Sequence, residues 1–293
     1  MRFCEHATPT SHGDHVSALD AEPITFETND GTTHSPLVHA VVNGVATRLV
    51  LDTGASDDVL TMDLSQAANL ATEPGEPGTD STGSSVPSWQ AREVTIRIGE
   101  MELALPEVIV IDTPPPFRSA GIGGTLSPQR LRPDAYAVLD LSASPVVTLV
   151  TADNVDGWLA ESYPGWQTVR LPAVDGDGTV LVEMAIDSFP PVVMMLDTGA
   201  RTTYAAQSAV PGLGEGGVRR AIGRGVGGTK AFGIDVPGRV LRVGGLEVPV
   251  DLVIAEHDLG IPGCVVGMNV LRGTVLVVGP PGSPVRWLLR EAA

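Results

Sequence analysis

Two aspartates stand out by what surrounds them. Asp52 opens Asp52-Thr53-Gly54-Ala55, and Asp197 opens Asp197-Thr198-Gly199-Ala200. Each follows an apolar run, Leu49-Val50-Leu51 and Met194-Met195-Leu196. A carboxylate at the end of such a run sits on the floor of a core, where ionisation is costly unless hydrogen bonds compensate. Each Thr adds a short hydroxyl able to bond backbone across an interface. Each Gly lets the chain approach closely and turn. Two such loops meeting on a pseudo-two-fold axis would make their carboxyls share one proton, because like charges that close do not both ionise. The ionised member then takes a proton from a water and the protonated member polarises a carbonyl. Water attack gives a tetrahedral diol, whose collapse releases an amine. This chemistry needs no metal, no cofactor and no covalent intermediate.

The elements that must position the two acids form an internal repeat. Ile24–Ser56 aligns without a gap on Val169–Arg201, at an offset of 145. The same offset carries Gly99 onto Gly244, Glu102 onto Glu247 and Ile109 onto Ile254. Such a period is far above that of a solenoid unit and matches a small domain. The expected organisation is a leader over residues 1–22, a first lobe over 23–150, a linker over 151–166 and a second lobe over 167–293. Within each lobe, short Val/Ile/Leu-rich runs end near Gly, Pro, Asn or Asp, which predicts strands. They are Leu37–Val42, Thr47–Leu51, Glu93–Ile98, Glu107–Ile111, Val180–Ile186, Val192–Leu196, Arg239–Val243 and Leu252–Ala255. Asn43-Gly44 predicts a hairpin turn. Ser56–Leu70 predicts a short helix and Ser127–Tyr136 a weaker one. The fold class is all-β, two like lobes with few helices.

At this point the two motifs resemble the active-site loops of aspartic proteases, with the Ala form typical of retropepsins. Val265-Val266-Gly267-Met268-Asn269-Val270-Leu271-Arg272-Gly273 resembles the family's apolar-apolar-Gly element, and Ile122-Gly123-Gly124-Thr125-Leu126 is a looser match. The likeness is to retropepsin-sized β-barrel lobes fused in the pepsin manner. It implies an aspartic endopeptidase with Asp52 and Asp197 as the catalytic pair. Thr53, Gly54, Ala55, Thr198, Gly199 and Ala200 are implied as loop support. It also implies substrate-covering flaps at about residues 78–90 and 223–233, with Gly83, Ser84, Trp89, Gly227 and Gly228 near substrate. A peptide or protein substrate and a complete site within one chain follow, hence a monomer. The competing class is a catalytically silent peptide-binding or assembly module of the same fold. Pepsins place Ser or Thr where Ala55 and Ala200 stand, and that hydroxyl would favour the carboxylate anion. An activity optimum in weakly acidic rather than strongly acidic solution is therefore expected.

Other features read as structure. Gly223-x-Gly225-x-x-Gly228 matches a dinucleotide fingerprint literally, but Asp235-Val236-Pro237-Gly238 interrupts the place where its helix should run. Cys4, His6, His12 and His15 fit no zinc spacing. Asp57-Asp58 and residues 153–156 read as solvated carboxylates, and Arg201, Arg219, Arg220 and Arg224 as solvated surface, with substrate contact as the alternative for these arginines. The 293 residues carry 18 Lys+Arg against 35 Asp+Glu, a net charge of −17, which argues against a nucleic-acid partner. With 2 Cys a disulfide framework is excluded, and aromatics at 4% require an aliphatic core. No apolar run is long enough to span a membrane. The first 22 residues lack an apolar signal core, so a cytoplasmic location is expected, or a secreted or periplasmic one if the native N-terminus differs.

Overall fold

The hairpin Pro36–Val42 and Val45–Leu51 sets the frame of the first lobe. Its turn residues Asn43 and Gly44 hold φ of 43° and 88°, the left-handed pair that a two-residue hairpin requires. The Asn43 side chain also accepts the Thr95 N–H at 2.8 Å, tying the turn to a neighbouring strand. The computed structural model describes residues 24–28, 35–80, 83–142, 146–174, 178–224, 229–256 and 263–290.

Val45–Leu51 runs parallel to Ile122–Leu126, which pairs antiparallel with Val59–Thr61. Val59–Thr61 runs parallel to Met101–Ile111, which forms a long hairpin with Ser88–Ile98. The second lobe repeats this order. Val192–Leu196, paired with Leu181–Ile186, runs parallel to Cys264–Val266. Cys264–Val266 pairs antiparallel with Thr203–Ala206, which runs parallel to Leu246–Ala255, the hairpin partner of Lys230–Val243. The chain is therefore mostly β, two lobes of one topology.

A shared layer joins the lobes. Trp166–Leu171, Val285–Arg290, Val275–Val278, Ala135–Asp140, Val146–Thr151 and Ile24–Thr28 pair in that order, all antiparallel, so each half contributes strands to it. Its buried side chains are mostly aliphatic, joined by Tyr136, Arg286 and Trp287, whose indole N–H donates to Thr274 at 2.9 Å. One aliphatic core cluster runs from Val38 in the first lobe to Leu271 in the second. Continuous burial of this kind locks the lobes together and fixes the geometry between them.

Several expectations need correction. Residues expected as the helix Ser56–Leu70 instead form a strand, Val59–Thr61, followed by a helix of only six residues, Met62–Ala67. Pairing with Ile109–Ile111 recruits Val59-Leu60-Thr61 to the sheet, and the Thr61 hydroxyl then caps the helix through the Leu64 N–H. The expected helix Ser127–Tyr136 is a single 3-10 turn at Pro128–Arg130, and Ala135 already belongs to a strand. Residues 151–166 contain the helix Val155–Ser162, which the sequence reading did not anticipate. Arg286, nearly buried, forks onto its Asp156 and fastens that helix to the shared layer. Residues 235–238 form neither a helix nor a break. They lie within the strand Lys230–Val243, at a bulge.

Candidate active site

Each motif begins where an inner strand leaves its sheet. The Asp52 N–H donates to the Leu126 carbonyl at 2.9 Å, and the Asp197 N–H to the Val266 carbonyl at 3.0 Å. The strand beside each motif thus fixes where each aspartate departs. Leu126 and Val266 are therefore equivalent, and so are Ser127 and Gly267. This shifts the first-lobe match: the family's Gly is Ser127 here, not Gly123 or Gly124. Gly124 serves packing instead. With φ of 155°, a Cβ there would collide with the Val59 carbonyl.

The two loops interlock through their threonines, both fully buried. Thr53 Oγ1 donates to the Leu196 carbonyl at 2.6 Å, and Thr198 Oγ1 donates to the Leu51 carbonyl at 2.6 Å. Each oxygen accepts the other threonine's N–H, at 3.0 and 3.1 Å. Every polar atom of the crossing is therefore satisfied within it.

Above this crossing the two carboxyl groups face each other, each lying against the glycine of the other loop. Backbone N–H groups ring them: Gly54 donates to Asp52 Oδ1 at 2.9 Å, and Gly199 and Ala200 donate to Asp197 Oδ1 at 2.7 and 2.9 Å. The glycines are required by space. A Cβ on Gly54 would lie 2.5 Å from Asp197 Cγ, and one on Gly199 would lie 2.5 Å from Asp52 Oδ2. Burial raises the Asp52 carboxyl, and its hydrogen bonds to Asp197 and to the N–H groups of Gly54, Gly199 and Ala55 draw it back. Asp197 stands well above the ordinary carboxylate range, first through burial, then through the charge and hydrogen bond of Asp52. Two carboxyls this close titrate as one unit.

A supporting layer was not legible as such. Ser127 Oγ and Gln129 Nε2 both donate to the Ala55 carbonyl, and Gln129 also reaches the Gly178 carbonyl of the second lobe at 2.8 Å. Ser35 Oγ donates to the Gly199 carbonyl at 3.1 Å. Asp58, read as solvated, is largely enclosed: it accepts the Ser127 N–H at 2.9 Å, and burial raises its carboxyl. Thr203 takes the equivalent place in the second lobe, accepting the Gly267 N–H at 3.1 Å.

Of the expected flap residues, Gly83 and Ser84 lie in the loop between Gly78–Thr79 and Ser85–Val86, which pair as a small hairpin. Trp89 lies on Ser88–Ile98 and packs against the core. Gly227 and Gly228 lie outside the described residues, as do Cys4, His6, His12 and His15. Beside them, Thr229 accepts a hydrogen bond from Ser84 at 2.8 Å. These two residues are 145 apart, the offset of the repeat itself.

Comparison with known proteins agrees with this geometry. Residues 38–159 match the family described as Aspartyl protease. The fold is similar to a crystal structure of the aspartic proteinase from Irpex lacteus, with a TM-score of 0.54 and 15% identity over 88% of this chain and 94% of that one. No curated protein matches the sequence. The class is thereby defined: a two-lobed protein of the aspartic protease fold, whose first lobe carries the family's sequence signature.

Proposed function

We propose that the chain is an aspartic endopeptidase, with Asp52 and Asp197 as its catalytic pair. The observation that carries this reading is the facing carboxyl pair, one member from each repeat, held by a reciprocal threonine crossing. Asp52, drawn toward its anion by hydrogen bonds, acts as the base that takes a proton from a bound water. Asp197 keeps the shared proton and donates it to the oxygen of the scissile carbonyl. After the diol forms, a proton passes to the leaving nitrogen and the C–N bond breaks.

Substrate binds extended between the lobes, adding backbone hydrogen bonds to the two hairpins that meet at Ser84 and Thr229. Aliphatic walls favour apolar side chains on either side of the scissile bond. Because both acids come from one chain, a monomer suffices.

The test is incubation of the purified protein with a denatured protein between pH 3 and 7, with and without a statine-type inhibitor. Cleavage that the inhibitor blocks is expected. Absence of cleavage together with absence of inhibitor binding would favour a silent binding module.

A further inference from the structure

One side-chain amide links the first motif loop to the second lobe. Gln129 lies on the 3-10 turn Pro128–Arg130 and is only 3% exposed. Its Nε2 faces three carbonyl oxygens, those of Gly178 at 2.8 Å, Ala55 at 3.1 Å and Thr53 at 3.4 Å. Three acceptors around one nitrogen fix the orientation of the amide, because the reversed amide would set its oxygen against all three. The two hydrogens go to the nearer pair, Gly178 and Ala55. One of these carbonyls belongs to the second lobe and the other to the first motif loop.

The segment that Gln129 reaches, 178–180, is laid directly on that loop. Gly178 has φ of 105°, and a Cβ there would lie 3.0 Å from the Ser56 carbonyl oxygen. Two residues on, the Val180 N–H donates to the Thr53 carbonyl at 3.2 Å. The other end of the same peptide, the Gly54 N–H, donates to Asp52 Oδ1 at 2.9 Å. The Val180 carbonyl accepts the Leu196 N–H at 2.9 Å, one residue before Asp197. Segment 178–180 therefore bonds both the peptide that holds the Asp52 carboxyl and the strand end that delivers Asp197. Gln129 fastens this segment to the first loop.

The second lobe offers no matching strut among the described residues. Ser127 corresponds to Gly267, so Asn269 stands where Gln129 does. Its amide stays within its own lobe, accepting the Thr203 hydroxyl at 2.8 Å and donating to the Asp251 carbonyl at 2.9 Å. Arg130, beside Gln129, likewise stays in the first lobe, on Asp57 and the Ser56 carbonyl. The tie made by Gln129 is one-sided, and it acts on the loop of Asp52.

We infer that Gln129 is a positioning residue for the carboxyl pair: by bonding the Ala55 and Gly178 carbonyls through one amide, it sets how Asp52 meets Asp197. The inference rests on the endopeptidase reading. The bonds of Gln129 go to backbone, so it acts on the rate through the geometry of the pair. The fold depends on it less. Without Gln129 the Ala55 carbonyl keeps the Ser127 hydroxyl, and the Thr53 carbonyl keeps the Val180 N–H.

The test measures kcat and KM on one peptide for the wild type, Gln129→Met and Gln129→Glu. Active protein is counted by titration with a statine-type inhibitor, which removes any loss through unfolding. Gln129→Met keeps the length of the side chain and removes its donors. Its kcat should fall about 10- to 100-fold, the scale of a displacement of about 1 Å among reacting groups, with KM within about 2-fold of the wild type. Gln129→Glu has a proton to donate only while its carboxyl is neutral. Its kcat as a fraction of the wild-type kcat should therefore fall at least about 5-fold between about pH 4 and about pH 6.5. Taking the fraction at each pH offsets the titration of Asp52, Asp197, Asp58 and Asp57, which both proteins contain. A wild-type kcat in Gln129→Met, a loss carried by KM instead, or a Gln129→Glu fraction that does not change with pH overturns this inference alone. Failure of the wild type to cleave any peptide overturns the endopeptidase reading and the inference with it.

Discussion

Thr53 and Thr198 each place their hydroxyl in the other lobe's loop. Each donates to the carbonyl just before the opposite aspartate and accepts the opposite threonine's N–H. Breaking one side orphans a buried N–H and a buried carbonyl at once. Thr53→Val should therefore destabilise the protein by about 2–3 kcal/mol, the usual cost of buried unsatisfied groups. Thr198→Val should cost the same. The two hydroxyls also contact each other at 3.5 Å, so the double variant should cost less than the sum. Denaturant unfolding of all four proteins measures this, and simple additivity would mean that the crossing is not a unit.

Gly54→Ala should leave the fold in place while lowering the rate of peptide cleavage at least about 100-fold. The added methyl occupies the space of the Asp197 carboxyl and pushes the pair apart. Displacements of about 1 Å near reacting groups cost that much. Gly199→Ala acts on Asp52 in the same way. Circular dichroism and kcat/KM on one peptide separate the two effects.

The pH dependence follows from the direction of the shifts. Asp52, Asp197 and Asp58 are all raised by burial. A raised acid contributes stability that is fully present below its unfolded pKa of about 3.9 and is lost as pH rises through the folded value. The melting temperature should therefore fall from about pH 4–5 toward neutrality. Asp58→Asn keeps an acceptor for the Ser127 N–H without the charge. It should raise the melting temperature by a few degrees at pH 7 and leave it nearly unchanged at pH 4.

Activity should peak in weakly acidic solution. Ala55 and Ala200 bring only their N–H groups to the carboxyls, with no side-chain hydroxyl. Ala55→Ser should move the acidic limb of the pH–rate profile downward, because the new hydroxyl stabilises the anion. A wild-type peak near pH 2 would contradict the account.

The repeat offset and the Asp-Thr-Gly-Ala pair were legible in the sequence because duplication preserves spacing where two loops must fit each other. The β-rich pattern and the Asn43-Gly44 turn were legible from local chemistry. Val59–Thr61 was not, since an apolar triplet before a helix reads as helix until Ile109–Ile111 claims it. The support from Ser127, Gln129 and Asp58 was hidden for another reason. After residue 120 the lobes align at 140 rather than 145, so Ser127 meets Gly267 only once the strands are paired. The contact of Ser84 with Thr229 obeys the offset of 145 yet joins unlike residues, so no identity marked it.

The most direct test replaces each carboxyl alone. Asp52→Asn and Asp197→Asn retain the shape of the pair and remove the shared titration. Each should fold as the wild type does and lose at least about 1,000-fold in the rate of peptide cleavage, the scale seen when a member of a catalytic unit is removed. Either variant cleaving at a rate near that of the wild type would contradict catalysis by the pair.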